Sequence, residues 1–160
     1  MAHRDLFISW MNDAYSMEES IVHVLENHIQ DAKDHPELQS KLKDHLDETQ
    51  HHAAVVKECL QRLGESPSAV KSTMATMTGK VQGMSTGMAD DELIKDGLSD
   101  FSTEYFEIAS YKALITAARD LGEMECEQAF QEILYEEQKM AAWLDEHLPL
   151  LVQQTMRQAA

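Results

Sequence analysis

The chain has 160 residues and a formal net charge of −16, a size that suits one domain over residues 1–160 with its own core. The acidic balance argues against nucleic acid and anionic membrane surfaces as partners, because both are bound through basic patches. No apolar run reaches the ~18 residues of a membrane span. The first residues also lack the apolar core of a signal peptide, so we expect a cytoplasmic protein.

The N-terminal part of the chain predicts a helical hairpin. Apolar residues recur every three to four positions from Phe7 to Ile29, which indicates an amphipathic helix over about 4–33. Pro36 is suited to the first turn of a second helix, because proline is favoured there. The apolar spacing of that second helix runs to about residue 63, where Gly64 can act as a C-terminal cap.

Residues 65–91 differ from the rest in being rich in Met, Ser, Thr and Gly. Their Met residues have helical spacing, which predicts a short extra helix packed through flexible thioether side chains. A Met-rich copper site is the alternative interpretation of this segment. Because the segment is long and separates two amphipathic regions, we expect it to be a crossover.

The C-terminal part predicts a second hairpin. Amphipathic patterns cover about 91–120 and 124–147, and Leu121-Gly122 separates them. Two short connections around one long crossover are typical of an all-α, ferritin-like four-helix bundle. No strand pattern competes with this prediction.

Carboxylates interrupt the apolar faces of these helices. Glu18 and Glu137 lie near the centres of the apolar faces of the first and fourth helices. The interval from Glu18 to Glu48 is 30 residues, and it recurs between Glu107 and Glu137. Two hairpins that each direct one glutamate per helix to a common point would produce this repeat. Buried glutamates cannot all stay ionised without a cation among them, so the pattern predicts a metal site.

Two helices leave the choice of ligand open. On the second, Glu48 and His51 are three residues apart and can meet one ion, although His52 points closer to the apolar stripe. On the third helix, Glu104 lies on the apolar side between Phe101 and Ile108, whereas Glu107 is the residue that keeps the 30-residue interval. The predicted metal ligands are Glu18, Glu48, His51, Glu104, Glu107 and Glu137.

Neither the remaining histidines nor the cysteines form a recognisable motif. We expect structural or surface positions for His3, His23, His28, His35, His45 and His147. Cys59 and Cys126 lie on different predicted helices without a CxxC partner, so we expect them to be reduced and structural.

Several of these segments resemble the YciE/YciF family of ferritin-like stress proteins. The matching segments run from residue 6 to residue 137 in the right order, and Tyr15–Glu18 and Glu107–Tyr111 are the most specific among them. A wider resemblance, through Glu48–His51 and Glu104–Glu107, is to the rubrerythrin-type di-iron proteins.

The resemblance implies a bacterial, stress-linked homodimer with a ferritin-like bundle and an added crossover helix. Rubrerythrin-type proteins bind two irons and reduce peroxide, which implies the same ligand set that the pattern predicts. The chain departs from a symmetric site at Met140, where a second histidine would stand, and it has no four-cysteine rubredoxin module.

The leading hypothesis is therefore a dinuclear site for iron or manganese, since carboxylates with imidazole suit these metals. Its chemistry would be of the ferroxidase or peroxide-reducing type. One alternative is a non-enzymatic structural or interaction protein whose metal site has degenerated, as Met140 would suggest. Another is a protein that senses or carries metal without turnover.

Overall fold

The computed structural model describes residues 2–67 and 91–158, nearly all of them helical. The helices are α1 (Ala2–Asp31), α2 (Pro36–Arg62), α3 (Glu92–Leu121) and α4 (Met124–Gln158), with a 3-10 turn at Ala32–Asp34 between α1 and α2. This order confirms the all-α, ferritin-like bundle. The helix predicted within residues 65–91 lies largely outside the described residues.

The ends of the helices follow the sequence signals. Pro36 occupies the first turn of α2, where its missing N–H costs nothing. Gly64 and Gly122 have φ values of +77° and +75°, the left-handed conformation that glycine adopts without strain just after a helix.

Helix α4 is longer than predicted, because it continues through Pro149 to Gln158. A proline inside a helix removes one hydrogen bond, but the residues around it pack closely on α3. A Cβ atom added at Gly97 would lie 3.1 Å from Leu148 Cδ1 and 4.0 Å from Leu151 Cδ2. The absence of a side chain at Gly97 thus lets the end of α4 approach α3.

The two hairpins are antiparallel to one another across the core. Side-chain contacts join Glu18 to Tyr111 and His28 to Asp100, so α3 begins at the end of the bundle where α1 finishes. This end, which also holds the Ala32–Asp34 turn and the last residues of α4, is called the turn end. None of the helices over residues 2–67 and 91–158 is long and apolar enough to cross a membrane.

The core away from the turn end is apolar. Phe7, Met11, Leu60 and Phe130 are fully buried, and the rings of Phe7 and Phe130 meet edge to face with centroids 6.4 Å apart. Cys59 and Cys126 belong to the same core as free, buried thiols, as predicted.

Candidate metal centre

The middle of the bundle is polar, and six of the described carboxylate and imidazole side chains there are almost completely inaccessible. None is more than 2% exposed. Helix α2 supplies two imidazoles, α3 two carboxylates, and α1 and α4 one carboxylate each. We call this set the buried cluster: Glu18, His45, His52, Glu104, Glu107 and Glu137.

Helical periodicity explains how these residues meet. His45 and His52 are seven residues apart on α2, about two turns, so they share a face. Glu104 and Glu107 are three residues apart on α3, which places them on adjoining turns of one surface. Glu18 and Glu137 lie on the buried stripes of α1 and α4, among apolar residues.

The ligand atoms of the buried cluster fall into two groups. His45, Glu104, Glu107 and Glu137 each offer one atom within 4.8 Å of the others, and so do Glu18, His52 and Glu137. Glu137 belongs to both groups, which is the position of a carboxylate that can bridge two adjacent ions.

An outer carboxylate holds each imidazole. His52 Nε2 hydrogen-bonds to Glu136 Oε2 at 2.7 Å, while its Nδ1 lies 2.7 Å from Glu137 Oε1. His45 Nδ1 pairs with Glu48 Oε2 at 3.4 Å, and its Nε2 lies 2.8 Å from Glu104 Oε1. One ring nitrogen of each histidine is thus oriented from outside and the other faces the cluster. This carboxylate–histidine arrangement is common at metal sites.

The inward-facing atoms of the cluster have no hydrogen-bond partner within residues 2–67 and 91–158. They are Glu18 Oε2, His45 Nε2, His52 Nδ1, Glu104 Oε2, and both carboxylate oxygens of Glu107 and Glu137. Buried polar atoms are nearly always hydrogen-bonded, and such a concentration of exceptions requires an explanation. These oxygen and nitrogen atoms lie close to one another but are not arranged as hydrogen bonds, which is the arrangement expected of metal ligands. The four carboxylates and two imidazoles are a suitable donor set for metal ions.

Without metal, the cluster retains protons. Burial raises the pKa of Glu18 to about 8, and repulsion from Glu137 adds to the effect. Burial also raises the pKa of Glu104 to about 8 and the pKa of Glu107 well above its usual range. Burial opposes protonation of the two histidines. Their carboxylate partners outweigh it and raise the pKa of His45 to about 10 and that of His52 to about 9.

Tyr111 adds a buried phenol to the edge of the cluster. Its hydroxyl donates a hydrogen bond to Glu18 Oε1, and its ring centroid lies 6.4 Å from that of His52. Burial and the charge of Glu18 raise the pKa of Tyr111 well above its usual value. The phenol therefore keeps its proton on the oxygen that faces Glu18.

Four of the predicted ligands lie in the cluster, namely Glu18, Glu104, Glu107 and Glu137, so the choice between Glu104 and Glu107 disappears. Glu48 lies one step further out, with 31% of its side chain exposed. The hydrogen bond from His45 lowers its pKa.

His51 is exposed, and the structure does not bring it to the cluster. Since each residue turns the helix by about 100°, the inner face of α2 belongs to His52, which the sequence left as the alternative. Sequence reasoning missed His45 and treated it as structural or surface. The available signal was its seven-residue spacing from His52 along the stripe of Leu42, Thr49 and Val56.

Met140, which stands where a symmetric site would have its second histidine, is fully buried. The cluster nevertheless has two imidazoles, because both come from α2 instead of one from each hairpin. The departure from a symmetric site is thus a relocation of the second histidine.

Fold and site together define a ferritin-like bundle with a buried carboxylate and histidine cluster. The chain belongs to the family described as "Domain of unknown function (DUF892)", whose model matches residues 2–157. This match, with the structural similarities below, confirms the resemblance to the YciE/YciF-type proteins.

Solved structures show the same architecture. A protein from Xanthomonas campestris pv. campestris is 31% identical, with a TM-score of 0.84 and coverage of 99% of both chains. The Escherichia coli stress protein YciF is 23% identical with a TM-score of 0.78, covering 94% of this chain and 97% of that one. The bacterioferritin of Desulfovibrio desulfuricans, described with its diiron site, is 21% identical with a TM-score of 0.77, covering 99% of this chain and 89% of that one.

Proposed function

We propose that this protein binds two iron or manganese ions in the buried cluster and serves a ferroxidase or peroxide-reducing role in a stress response. The observation that carries the proposal is the convergence of unpartnered, buried ligand atoms in two groups that share Glu137. The diiron site of the similar bacterioferritin supports the choice of metal. The description of YciF as a stress protein supports a role in a stress response.

The donor set supports iron or manganese, because carboxylate oxygens dominate and imidazole completes them. Two such ions in the divalent state would supply two electrons between them, which, together with two protons, is what reduction of one hydrogen peroxide to two waters requires. His45, Glu104 and Glu107 would hold one ion and Glu18 and His52 the other, with Glu137 shared.

The chain's own residues prepare the site for that chemistry. Glu48 and Glu136 hold the two imidazoles by their outer nitrogens, so that the inner nitrogens keep their orientation. Tyr111 donates a hydrogen bond from its hydroxyl to Glu18 Oε1 and so fixes the orientation of that carboxylate toward the centre. The apolar side chains of Phe7 and Phe130 keep bulk water from the side away from the turn end.

The competing hypothesis, a structural protein with a degenerate site, drew on the absence of a histidine at position 140. That argument weakens once His45 and His52 are counted, because the cluster then has two imidazoles. Metal carriage without turnover remains a distinct alternative, which a peroxide turnover assay separates from the proposal.

Metal analysis tests the proposal directly. Protein produced with iron or manganese in the medium should contain about two ions per chain, and Glu18→Ala with Glu137→Ala should contain none. A matched control is Glu19→Ala with Glu132→Ala, because these exposed carboxylates lie on the same helices and should leave the metal content unchanged. Wild-type protein without metal would contradict the proposal, and full occupancy in the first double variant would place the ions elsewhere.

A further inference from the structure

A cavity of about 340 Å³ opens at the turn end of the bundle. Leucines from all but the first helix form much of its wall, including Leu42, Leu93 and Leu148. The polar part of the lining includes His28, Asp96 and Asp100, and these three residues are at most 8% exposed. The cavity is therefore an apolar opening with buried carboxylates along one side.

Those carboxylates continue along α3 to the metal centre. Asp96, Asp100, Glu104 and Glu107 are spaced by four, four and three residues, and each is at most 6% exposed. This spacing keeps all four on one face of the helix. At 1.5 Å per residue the row covers about 16 Å. We call it the carboxylate row, and its inner two members are already part of the buried cluster.

The outer half of the row has unused coordinating capacity. Asp96 Oδ2 is buried without a hydrogen-bond partner in the described part of the chain. Asp96 also offers a carboxylate oxygen within 4.8 Å of one from Asp31 and one from Glu92. A buried carboxylate oxygen without a partner is costly unless a cation or donor meets it.

His28 lies between the two outer aspartates. Its Nδ1 is 2.8 Å from Asp100 Oδ1 and its Nε2 is 3.3 Å from Asp96 Oδ1. A passing cation can replace the imidazole as the partner of either carboxylate, and at rest His28 pairs with one oxygen of each outer aspartate.

The interior on the opposite side of the cluster holds no comparable row of buried carboxylates within the described residues. Beyond Tyr111 the interior is filled by fully buried apolar side chains, among them Phe7, Met11 and Phe130. A divalent cation that moves through the bundle loses its water, and carboxylate and imidazole ligands can replace that hydration, whereas apolar side chains cannot.

We propose that the carboxylate row is the access route by which divalent metal ions pass from the cavity at the turn end to the buried cluster. This inference rests on the proposed function, because it supposes that the cluster takes up metal. Asp96 and Asp100 would receive the ion first and transfer it to Glu104, the outermost carboxylate of the cluster. The net charge of −16 attracts cations to the opening from solution.

Loading kinetics test the route separately from the site. Metal-free protein is mixed rapidly with Co²⁺, and the visible absorption of the bound ion gives the rate and the final number of ions per chain. Asp96→Asn with Asp100→Asn should slow loading about tenfold or more, with the same final number of ions. The control variant Asp145→Asn with Glu146→Gln removes the same charge from exposed positions on α4 and should load at the wild-type rate.

Three further measurements distinguish a route from a structural role. Asp96→Glu keeps a carboxylate and should load at the wild-type rate, while added salt should slow the wild type more than the doubly neutral variant. Leu93→Trp reduces the cavity without touching a carboxylate and should also slow loading. Leu93→Trp also tests the route if the doubly neutral variant does not fold.

The outcomes are distinguishable. Equal loading rates in the wild type, the doubly neutral variant and Leu93→Trp would overturn the route while leaving the metal site intact. A lower final number of ions in the doubly neutral variant would mean that the two aspartates bind the metal in its final site or are needed for folding. That result would also overturn the route. Failure of the wild type to bind any metal would remove the proposed function and the route together.

Discussion

The buried carboxylates Glu18, Glu104 and Glu107 oppose folding at neutral pH unless metal is present, because burial disfavours their charged form. Five of the six members of the buried cluster titrate far from their usual ranges, and in each case the metal-free folded state holds protons that the unfolded chain would release at neutral pH. Metal binds the ionised cluster in the folded state and hardly binds the unfolded chain, so it should stabilise the fold. Stability is therefore a measure of the site that does not depend on turnover.

The pH dependence of the metal-free protein follows from these shifts. Glu18 and Glu104 have folded-state pKa values of about 8, above the unfolded value of roughly 4.3. His45 and His52 are raised to about 10 and about 9, above roughly 6.5. Because the folded state binds more protons throughout, its stability should fall as pH rises from about 4.5 towards 10. Melting temperatures measured in chelator between pH 5 and 9 check this, and a rising profile would contradict it.

One carboxylate can be removed without changing the shape of the site. Glu18→Gln should stabilise the chelated protein at pH 7 by roughly 1–3 kcal/mol, because a neutral amide needs no proton to be buried. The same change should weaken the metal-bound form, since it removes a ligand. Thermal melts with and without chelator measure both effects, and Glu19→Gln is the exposed control. If Glu18→Gln is less stable in both conditions, the carboxylate is an ordinary paired group.

Whole elements were easier to predict from the sequence than the ligand set. The bounds of α2 and α3 agree with the apolar periodicity to within one or two residues, because Pro36 marks the start of α2 and Gly64 and Gly122 mark the ends of the two helices. The extension of α4 beyond residue 147 was missed, since Gly97 and Leu148 meet only in the folded bundle.

The ligands on α2 were harder to predict than the helix itself. The sequence favoured His51 because Glu48 and His51 form a Glu-x-x-His motif, although His52 lies closer to the apolar stripe of the helix. His45 escaped notice because its partner Glu104 lies 59 residues away in sequence.

The connection between α3 and α4 depends on Gly122. Its φ of +75° suits glycine, and an added Cβ would meet nothing within 4 Å, so the cost of Gly122→Ala is conformational alone. We expect a loss of about 1 kcal/mol in the free energy of unfolding, with the metal content unchanged. Denaturant titration and metal analysis check the two parts. A lower metal content in Gly122→Ala would contradict the second part, because it would show that the connection between α3 and α4 helps to position the ligands of the buried cluster.

The whole molecule is strongly acidic, and this bears on its assembly. Each chain carries a net charge of −16, so a closed shell of many copies would bring a large negative charge together and resist assembly at low salt. A dimer, which the resemblance implies, brings only two such charges together. Two divalent ions per chain would offset a quarter of the charge without changing this balance.

We therefore predict a homodimer and no storage shell. Light scattering should give about twice the 18.1 kDa of the chain, in chelator and after metal loading alike, because the proposed ions lie inside each bundle. Measurements at low and high salt separate weak charge repulsion from a stable interface, since exposed charges are screened within about 10 Å at 0.1 M salt. A large hollow particle would contradict the absence of a shell. A monomer at every concentration and salt level would contradict the dimer, while leaving the metal site of the single chain untouched.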